Sequence, residues 1–262
     1  MNGATRLHVC VGDPIDQVKS PEGLTAAFAE RGVNAVCIPA HVRSEDFAAF
    51  MAAAQRTANV DGFVITVPHK FSAFAHCAVN SARAQFLSAV NVMRREPDGR
   101  WRGDMTDGIA LLAALRGHGF KADGQRALLI GAGGAGSAVA LALVEAAIGE
   151  LVVCDVDAAR RDGLVRRLLT LGTARVRSGP SDPAGFGLIV NATPIGMAPQ
   201  DPLPIVNDGI DQRAYVADLI TKPAVTPLLA AARARRATIV TGDDMFAPQR
   251  KILADFLLNA PA

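Results

Sequence analysis

Short apolar runs alternate with longer amphipathic stretches along the whole chain. Leu7-His8-Val9-Cys10-Val11 reads as a strand that ends at the turn Gly12-Asp13-Pro14. Ser20-Pro21 opens a helix, with Ser20 as N-cap and Pro21 at the first helical position. Residues 35–39 form a second strand, 44–54 a helix capped by Ser44, and 62–67 a third strand stopped by Pro68. Two further runs, 89–94 and 100–103, flank Pro97-Asp98-Gly99, a hairpin signal. This first α/β part ends near Asp107.

A helix over 107–116 leads into the sharpest local signal. The run Ala127-Leu128-Leu129-Ile130 ends in glycines at 131, 133 and 136, the G-x-G-x-x-G spacing, and an alanine-rich apolar segment follows over 138–147. The pattern reads strand, tight turn, helix. Gly131 permits the turn, Gly133 lets backbone approach a pyrophosphate, and Gly136 lets the helix pack close to the strand. The helix N-terminus turns free N–H groups and a positive dipole end toward the phosphates. Leu151 to Cys154 is a second buried strand, with Asp155 at its end, 24 positions after Gly131. That is near the offset of the acid that takes the ribose hydroxyls; the same residue also reads as a cap for the helix starting near Ala158. Beyond it come a helix over 158–170 and strands over 174–177, 188–191, 215–219 and 238–240. A helix over 226–235 separates the last two strands. A final apolar helix over 245–258 is interrupted early by Pro248. The proline-rich stretch 194–208 is expected to be a mobile loop. The alternation of strands and helices implies parallel sheets in both parts.

Composition narrows the class. The 262 residues can hold one large domain or two ordinary ones, and half of them are apolar. A net charge of +2 gives no reason to expect nucleic acid or an anionic membrane as partner. The basic residues are 22 Arg and 5 Lys, so each lysine is worth inspecting. Cysteines 10, 37, 77 and 154 form no C-x-x-C and sit in apolar surroundings, as buried free thiols of a reducing compartment do. With no signal-peptide pattern and no long apolar span, a soluble cytoplasmic protein is expected. The five histidines show no ligand spacing, so no metal is expected. No G-x-S-x-G occurs, and Ser137 belongs to the glycine turn.

Several short stretches together resemble the shikimate dehydrogenases over nearly the full length. Gly12-Asp13-Pro14 through Lys19-Ser20-Pro21 is similar to that family's G-x-P-x-x-x-S-x-S-P segment for the substrate carboxylate. Thr66-Val67-Pro68-His69-Lys70 is similar to T-V-P-x-K, and Ala89-Val90-Asn91 to A-V-N. Gly103 to Gly108 is similar to G-D-N-T-D-G, and Asn191 to Met197 to N-A-T-x-x-G-M. Met245 and Gln249 match the C-terminal G-x-x-M-x-x-x-Q.

The resemblance implies an α/β substrate domain over 1–107, completed by a returning C-terminal helix within 241–262. It implies a Rossmann doubly wound parallel-sheet domain over 108–240. It further implies Lys70 and Asp107 as the catalytic pair, and Ser20, Thr66, Asn91 and Gln249 around the substrate. Gly131, Gly133, Gly134, Ala135, Gly136, Asp155, Arg160, Asn191, Thr193 and Met245 fall to the cofactor. The implied activity is hydride transfer between a nicotinamide cofactor and a secondary alcohol or ketone of a shikimate- or quinate-like hydroxy acid, in aromatic amino acid biosynthesis. A lysine can serve as acid or base at the oxygen, and a neighbouring Asp107 favours its ammonium form.

This chain also departs from the family pattern. Val18, Val64, Met105 and Thr221 stand where the family has serine, asparagine, asparagine and tyrosine. Substrate-side polar groups are thinned, and poor turnover of shikimate is expected. Where many members read the 2′-phosphate with N-R-T-x-x-R, this chain has Asp155-Val156-Asp157-Ala158-Ala159-Arg160. A carboxylate repels phosphate and accepts from free ribose hydroxyls, so NAD is expected over NADP. The competing reading is a catalytically idle NAD(H)-binding or sensing protein on the same scaffold. As monomer or homodimer, either version takes small molecules as its partners.

Overall fold

Valines and other apolar residues fill β1 (Arg6–Gly12), and its last five residues are buried. A strand covered on both faces suits the middle of a parallel sheet. In the computed structural model, which describes residues 1–206 and 209–259, β1 pairs parallel with β2 (Ala35–His41) and β3 (Val60–Ile65). The connections are α1 (Ser20–Glu30), a 3-10 turn (Ser44–Asp46) and α2 (Phe47–Gln55). Next come α3 (Lys70–Phe74), β4 (Val79–Asn80), α4 (Ala82–Leu87), β5 (Val92–Arg95) and β6 (Trp101–Asp104). The sheet order is β2-β1-β3-β5-β6-β4. These elements belong to one compact unit, Met1–Thr106 with Gln249–Ala262.

The second unit is Asp107–Pro248. It runs α5 (Asp107–Gly117), β7 (Arg126–Ile130), α6 (Gly134–Glu145), β8 (Glu150–Cys154), α7 (Ala158–Leu169) and β9 (Arg175–Ser178). Then follow β10 (Leu188–Asn191), β11 (Tyr215–Asp218), α8 (Pro227–Ala234), β12 (Thr238–Val240) and α9 (Gly242–Leu257). All pairings in the order β12-β11-β10-β7-β8-β9 are parallel. The order reverses at β7, so the crevice between the carboxyl ends of β7 and β10 is the topological switch point of a doubly wound sheet. Leu128, Val152, Ile189, Val216, Leu228 and Leu229 share its core. α5 and α6 pack with backbones close together: a Cβ on Gly108 would collide with the Ala138 carbonyl.

Several expectations are corrected. The first sheet is mixed, not parallel: β5 runs antiparallel to β3, and the hairpin around Gly99 sets β6 antiparallel to β5. Ser20 does not cap α1; Lys19 holds the cap position with no side-chain bond to the helix N–H groups, and Ser20 is the first, buried residue. Ser44 caps nothing either, because its segment opens as a 3-10 turn before α2. The strand expected from residue 89 starts at Val92. α6 begins at Gly134, directly after the glycine turn. Helix α9 runs on through Pro248, seven residues in, where the proline removes the N–H that would otherwise donate to the Asp244 carbonyl. α3, β4 and α4 are too short to show a period. Ser81, which accepts from the Ala84 N–H, is the cap that marks α4. Of the 194–208 loop, residues 207 and 208 lie outside the described residues; Asp201 accepts from the Gly196 and Ala198 N–H groups within it. Cys10 and Cys37 are buried, whereas Cys77 and Cys154 are half-buried, and all four are free.

The end of α9 closes the first unit. Leu253, Ala254 and Leu257 join Cys10, Leu24, Phe28, Val64 and Val92 in its core. Arg94 donates to the Phe256 carbonyl, and Arg31 pairs with Asp255. Inside this unit His8 is 2% exposed, packs at 4.7 Å against Phe28 and leaves its Nδ1 without a hydrogen-bond partner. Burial lowers its pKa from 6.5 to about 4, with Asp61 opposing. Stability is therefore full above pH 6.5 and falls on acidification toward pH 4, as the unfolded chain takes the proton that His8 refuses. The span amounts to roughly 3 kcal/mol. Urea unfolding at pH 7.5 and 4.5 should show His8→Leu losing less stability on acidification than the parent chain. An equal loss in both would refute the assignment.

Candidate active site

The first unit's site residues gather at one edge of its sheet. β1 and β3 both end there, and the Thr66 N–H donates to the Val11 carbonyl beyond their last pairing. β5 runs the other way, so its first residues lie beside the end of β3: the Ile65 N–H donates to the Asn91 carbonyl at 2.7 Å. Asn91 in turn donates its N–H to the Asp104 carbonyl at the end of β6. Lys70 starts α3 after the turn Thr66-Val67-Pro68-His69, and its carbonyl accepts from the Val90 N–H. His69 fixes this turn, with Nε2 2.7 Å from the Val42 carbonyl and its ring stacked on Phe47. Lys70 is 8% exposed. Its positive charge is felt at the Cys10 thiol, which burial pushes up to about 12 against a hydrogen bond with Ser20 and the Lys70 charge. Ser20, Thr66, Lys70 and Asn91 thus share one edge; Gln249 lies half-buried on α9.

Two networks not singled out in the sequence hold this edge. Asn91 Nδ2 donates to Thr106 Oγ1 at 3.0 Å, and Asn91 Oδ1 accepts from the Thr106 N–H at 2.8 Å. Asp104 takes hydrogen bonds from Ser81, from two nitrogens of Arg83 and from the Met105 N–H. The G-D-x-T-D run was the available signal, since a buried acid and threonine need partners. Asp107, 4% exposed, follows Thr106 directly as the first residue of α5.

The second unit carries the glycine turn at its switch point. Gly131 has φ +100°, and a Cβ on Gly136 would strike the Gly131 carbonyl, so strand and helix meet backbone to backbone. Gly133 has open space where a Cβ would stand. Gly133, Gly134 and Ala135 are half-exposed at the start of α6, whose first-turn N–H groups have no intrahelical acceptor. This open, unpaired donor set fits a pyrophosphate.

Asp155 stands beside it with a nearly buried side chain. Its carboxylate accepts from the Ala132 N–H at 2.6 Å, the Asp157 N–H at 2.8 Å and two nitrogens of Arg160. Burial alone would raise its pKa, but the bonds from Arg160, Ala132 and Asp157 outweigh it and hold the carboxyl below the usual range. Helix α7 is capped by Asp157, not by Asp155.

Asn191 and Thr193 spend their side chains inside their own loop. Asn191 Nδ2 reaches Asp218 and the Ile195 carbonyl, while its Oδ1 accepts from the N–H and hydroxyl of Thr193. Asp218 also accepts from Thr226 and the Ile220 N–H. Burial raises its pKa despite these bonds from Thr226, Ile220 and Asn191. Met245 is buried in α9. Among the described residues no group of His, Cys, Asp and Glu is arranged to hold a metal, and no helix is long and apolar enough to cross a membrane.

Comparison with known proteins agrees with this geometry. A family model described as the shikimate dehydrogenase substrate binding domain matches residues 10–93. A shikimate dehydrogenase (NADP(+)) of Rubrobacter xylanophilus is 36% identical over 251 residues, covering 94% of this chain and 88% of the relative. Shikimate 5-dehydrogenase from Thermus thermophilus, solved in complex with NADP(H) and shikimate, is 28% identical with TM-score 0.85 and covers 97% of this chain and 94% of that one. Quinate dehydrogenase from Corynebacterium glutamicum, solved in complex with NAD, is 26% identical with TM-score 0.85, at 97% and 94% coverage. Fold and relatives together define an NAD(P)-dependent oxidoreductase. The chain belongs to the shikimate dehydrogenase family.

Proposed function

We propose that the chain interconverts a secondary alcohol and a ketone on a ring-bearing hydroxy acid of the shikimate or quinate type, with NAD as the preferred cofactor. The observation that carries the reading is the nearly buried Lys70 at the strand edge that also holds Ser20, Thr66 and Asn91. The dinucleotide, when bound, supplies or accepts the hydride. Gly131, Gly133, Gly134, Ala135 and Gly136 would hold its phosphates, and Asp155 with Arg160 its adenosine ribose. Asn191, Thr193 and Met245 would shape the rest of its pocket. Lys70 delivers a proton from its ammonium to the carbonyl oxygen in reduction and takes the hydroxyl proton as the amine in oxidation. Asp107 accepts from a ring hydroxyl. Ser20 and Thr66 donate to the substrate carboxylate, and Asn91 and Gln249 to ring oxygens.

Lys70→Ala should lower kcat by about 10²–10⁴-fold, the usual loss for a positioned acid or base. Dinucleotide affinity should stay the same, because the glycine turn belongs to the other unit. Steady-state kinetics with a panel of cyclic hydroxy acids, paired with calorimetric titration of NAD, checks both. A panel that gives no turnover in the parent chain while NAD still binds would mean an idle binding protein.

The NAD preference rests on Asp155 and Val156. The Asp155 carboxylate already pairs with Arg160, which stands where the family's phosphate-reading segment has its last arginine, and Val156 is 98% exposed where that segment has its first. A ribose hydroxyl can share the carboxylate, whereas a phosphate must displace it. The double variant Asp155→Asn/Val156→Arg should shift the NADP-to-NAD ratio of kcat/KM upward by roughly 10–100-fold, the worth of one charged hydrogen bond. A parent chain that used NADP as well as NAD would end the proposal.

The substrate is less polar, or carries its acid differently, than shikimate. Val18 packs against the first unit's core, and Val64 and Met105 are buried, so none offers a donor. Val18 and the shorter Thr221, in place of a serine and a tyrosine, withdraw two bonds from the substrate carboxylate, and two missing bonds to a charged acceptor weaken binding by about 10²–10⁴-fold. Shikimate should therefore show a KM well above the ordinary range of about 1 μM–1 mM, improved by Val18→Ser. An ordinary shikimate KM in the parent chain would contradict this.

A further inference from the structure

The second unit contains a cavity that the hydride-transfer reading does not use. It has a volume of about 520 Å³, within the range typical of small-molecule pockets. Gln125 stands just before β7, Gly187 just before β10, and Tyr215 opens β11, so the cavity lies at the amino ends of these strands. The glycine turn follows the carboxyl end of β7, so the two sites occupy opposite edges of one sheet.

Three glycines leave the space open. Gly119 and Gly185, both with positive φ, and Gly187 contribute no side chains to fill it. Its frame is nonetheless fixed. Arg126 donates to the Gly185 carbonyl and lies over the Phe186 ring at 4.7 Å. The Gly187 N–H donates to the Arg126 carbonyl, and the Tyr215 N–H to the Gly187 carbonyl. Tyr215 meets Phe120 edge to face at 5.2 Å, and its hydroxyl lies beside Gly119.

Charge sets the ligand class. Lys121 and Arg213 line the cavity, and neither side chain has a hydrogen-bond or ion-pair partner among the described residues. The one lining acid, Asp211, already accepts from the Arg213 N–H at 2.7 Å. The rim thus holds two uncommitted cations and a half-committed anion around a ring wall that carries a free-standing hydroxyl. We propose that this cavity is a second small-molecule site, which takes a ring-bearing carboxylate. The ring packs on Tyr215, the carboxylate meets Lys121 and Arg213, and the Tyr215 hydroxyl bonds a polar substituent.

The sequence offers its own reporters. Tyr215 is the only tyrosine and Trp101, on β6 of the first unit, the only tryptophan. The full chain labelled with 3-fluorotyrosine and 5-fluorotryptophan is titrated with 4-hydroxybenzoate and, separately, with inorganic phosphate. The Tyr215 fluorine resonance should shift saturably with 4-hydroxybenzoate, with a midpoint below about 10 mM, while Trp101 stays in place. In Lys121→Ala/Arg213→Ala, the midpoint should rise at least about 10-fold, with both charge-assisted contacts gone. The unmoved Trp101 resonance then reports an intact first unit, and a retained Tyr215 resonance reports a folded second one. No saturable shift of Tyr215, an unchanged midpoint in the double variant, or an equal response to phosphate alone would each overturn the proposal.

Discussion

A buried parallel strand ends in backbone groups that no further strand pairs, and leaving them unpaired is costly. Each unit meets this constraint with polar side chains at the carboxyl edge of its sheet. In the second, Asp218 gathers Asn191, Thr226 and the Ile220 N–H, and Asn191 in turn ties Thr193 and Ile195. In the first, Asn91 and Thr106 bond each other twice over, and Asp104 gathers Ser81, Arg83 and Met105. The residues proposed as the catalytic pair hang from these locks. Lys70 is tied through its carbonyl to Val90, next to Asn91, and Asp107 is the next residue after Thr106. Side chains tied into a network cannot drift, and that rigidity is what a positioned acid or base requires.

The same economy explains the Asp155 carboxylate. It holds Ala132, in the glycine turn, and it holds Arg160, on the following helix. An acid that only recognised a ribose would be exposed and unpaired; this one is nearly buried with four donors. In the proposed reading, turn geometry and cofactor choice are thereby linked through one side chain. The charge that steadies the loop is also the charge that a 2′-phosphate must face.

Local chemistry decided how much of this was legible in the sequence. Glycines 131, 133 and 136 could be read because each answers a distinct steric demand, which the structure shows as a positive φ, an open face and a backbone collision. The hairpin at Asp98-Gly99 was equally plain, yet its consequence for strand direction, a mixed first sheet, was not drawn from it. Ser20 failed as a cap because α1 begins on it: Lys19 takes the cap position, and Ser20 is already the first, buried residue of the helix. Asn191 and Thr193 were legible as a motif, but their mutual bonding and the tie to Asp218 were not, since residues 27 positions apart become neighbours only through parallel pairing.

Where the chain departs from its family, stability and specificity meet at the same positions. Val64 pairs in register between Cys10 and Val92, and all three enter one apolar cluster with Leu24 and Leu257. An asparagine there would have to bury its amide against that cluster or aim it at a ligand. Valine removes the demand for a partner and adds apolar burial, at the expense of a donor on the substrate side. Val18 follows the same logic against the same core. The residues proposed to handle the proton sit instead on the polar edge, where Asn91, Thr106 and Asp104 set the geometry regardless of what fills the core. A scaffold organised this way can exchange its substrate by apolar substitutions from the core side while its acid/base geometry stays fixed.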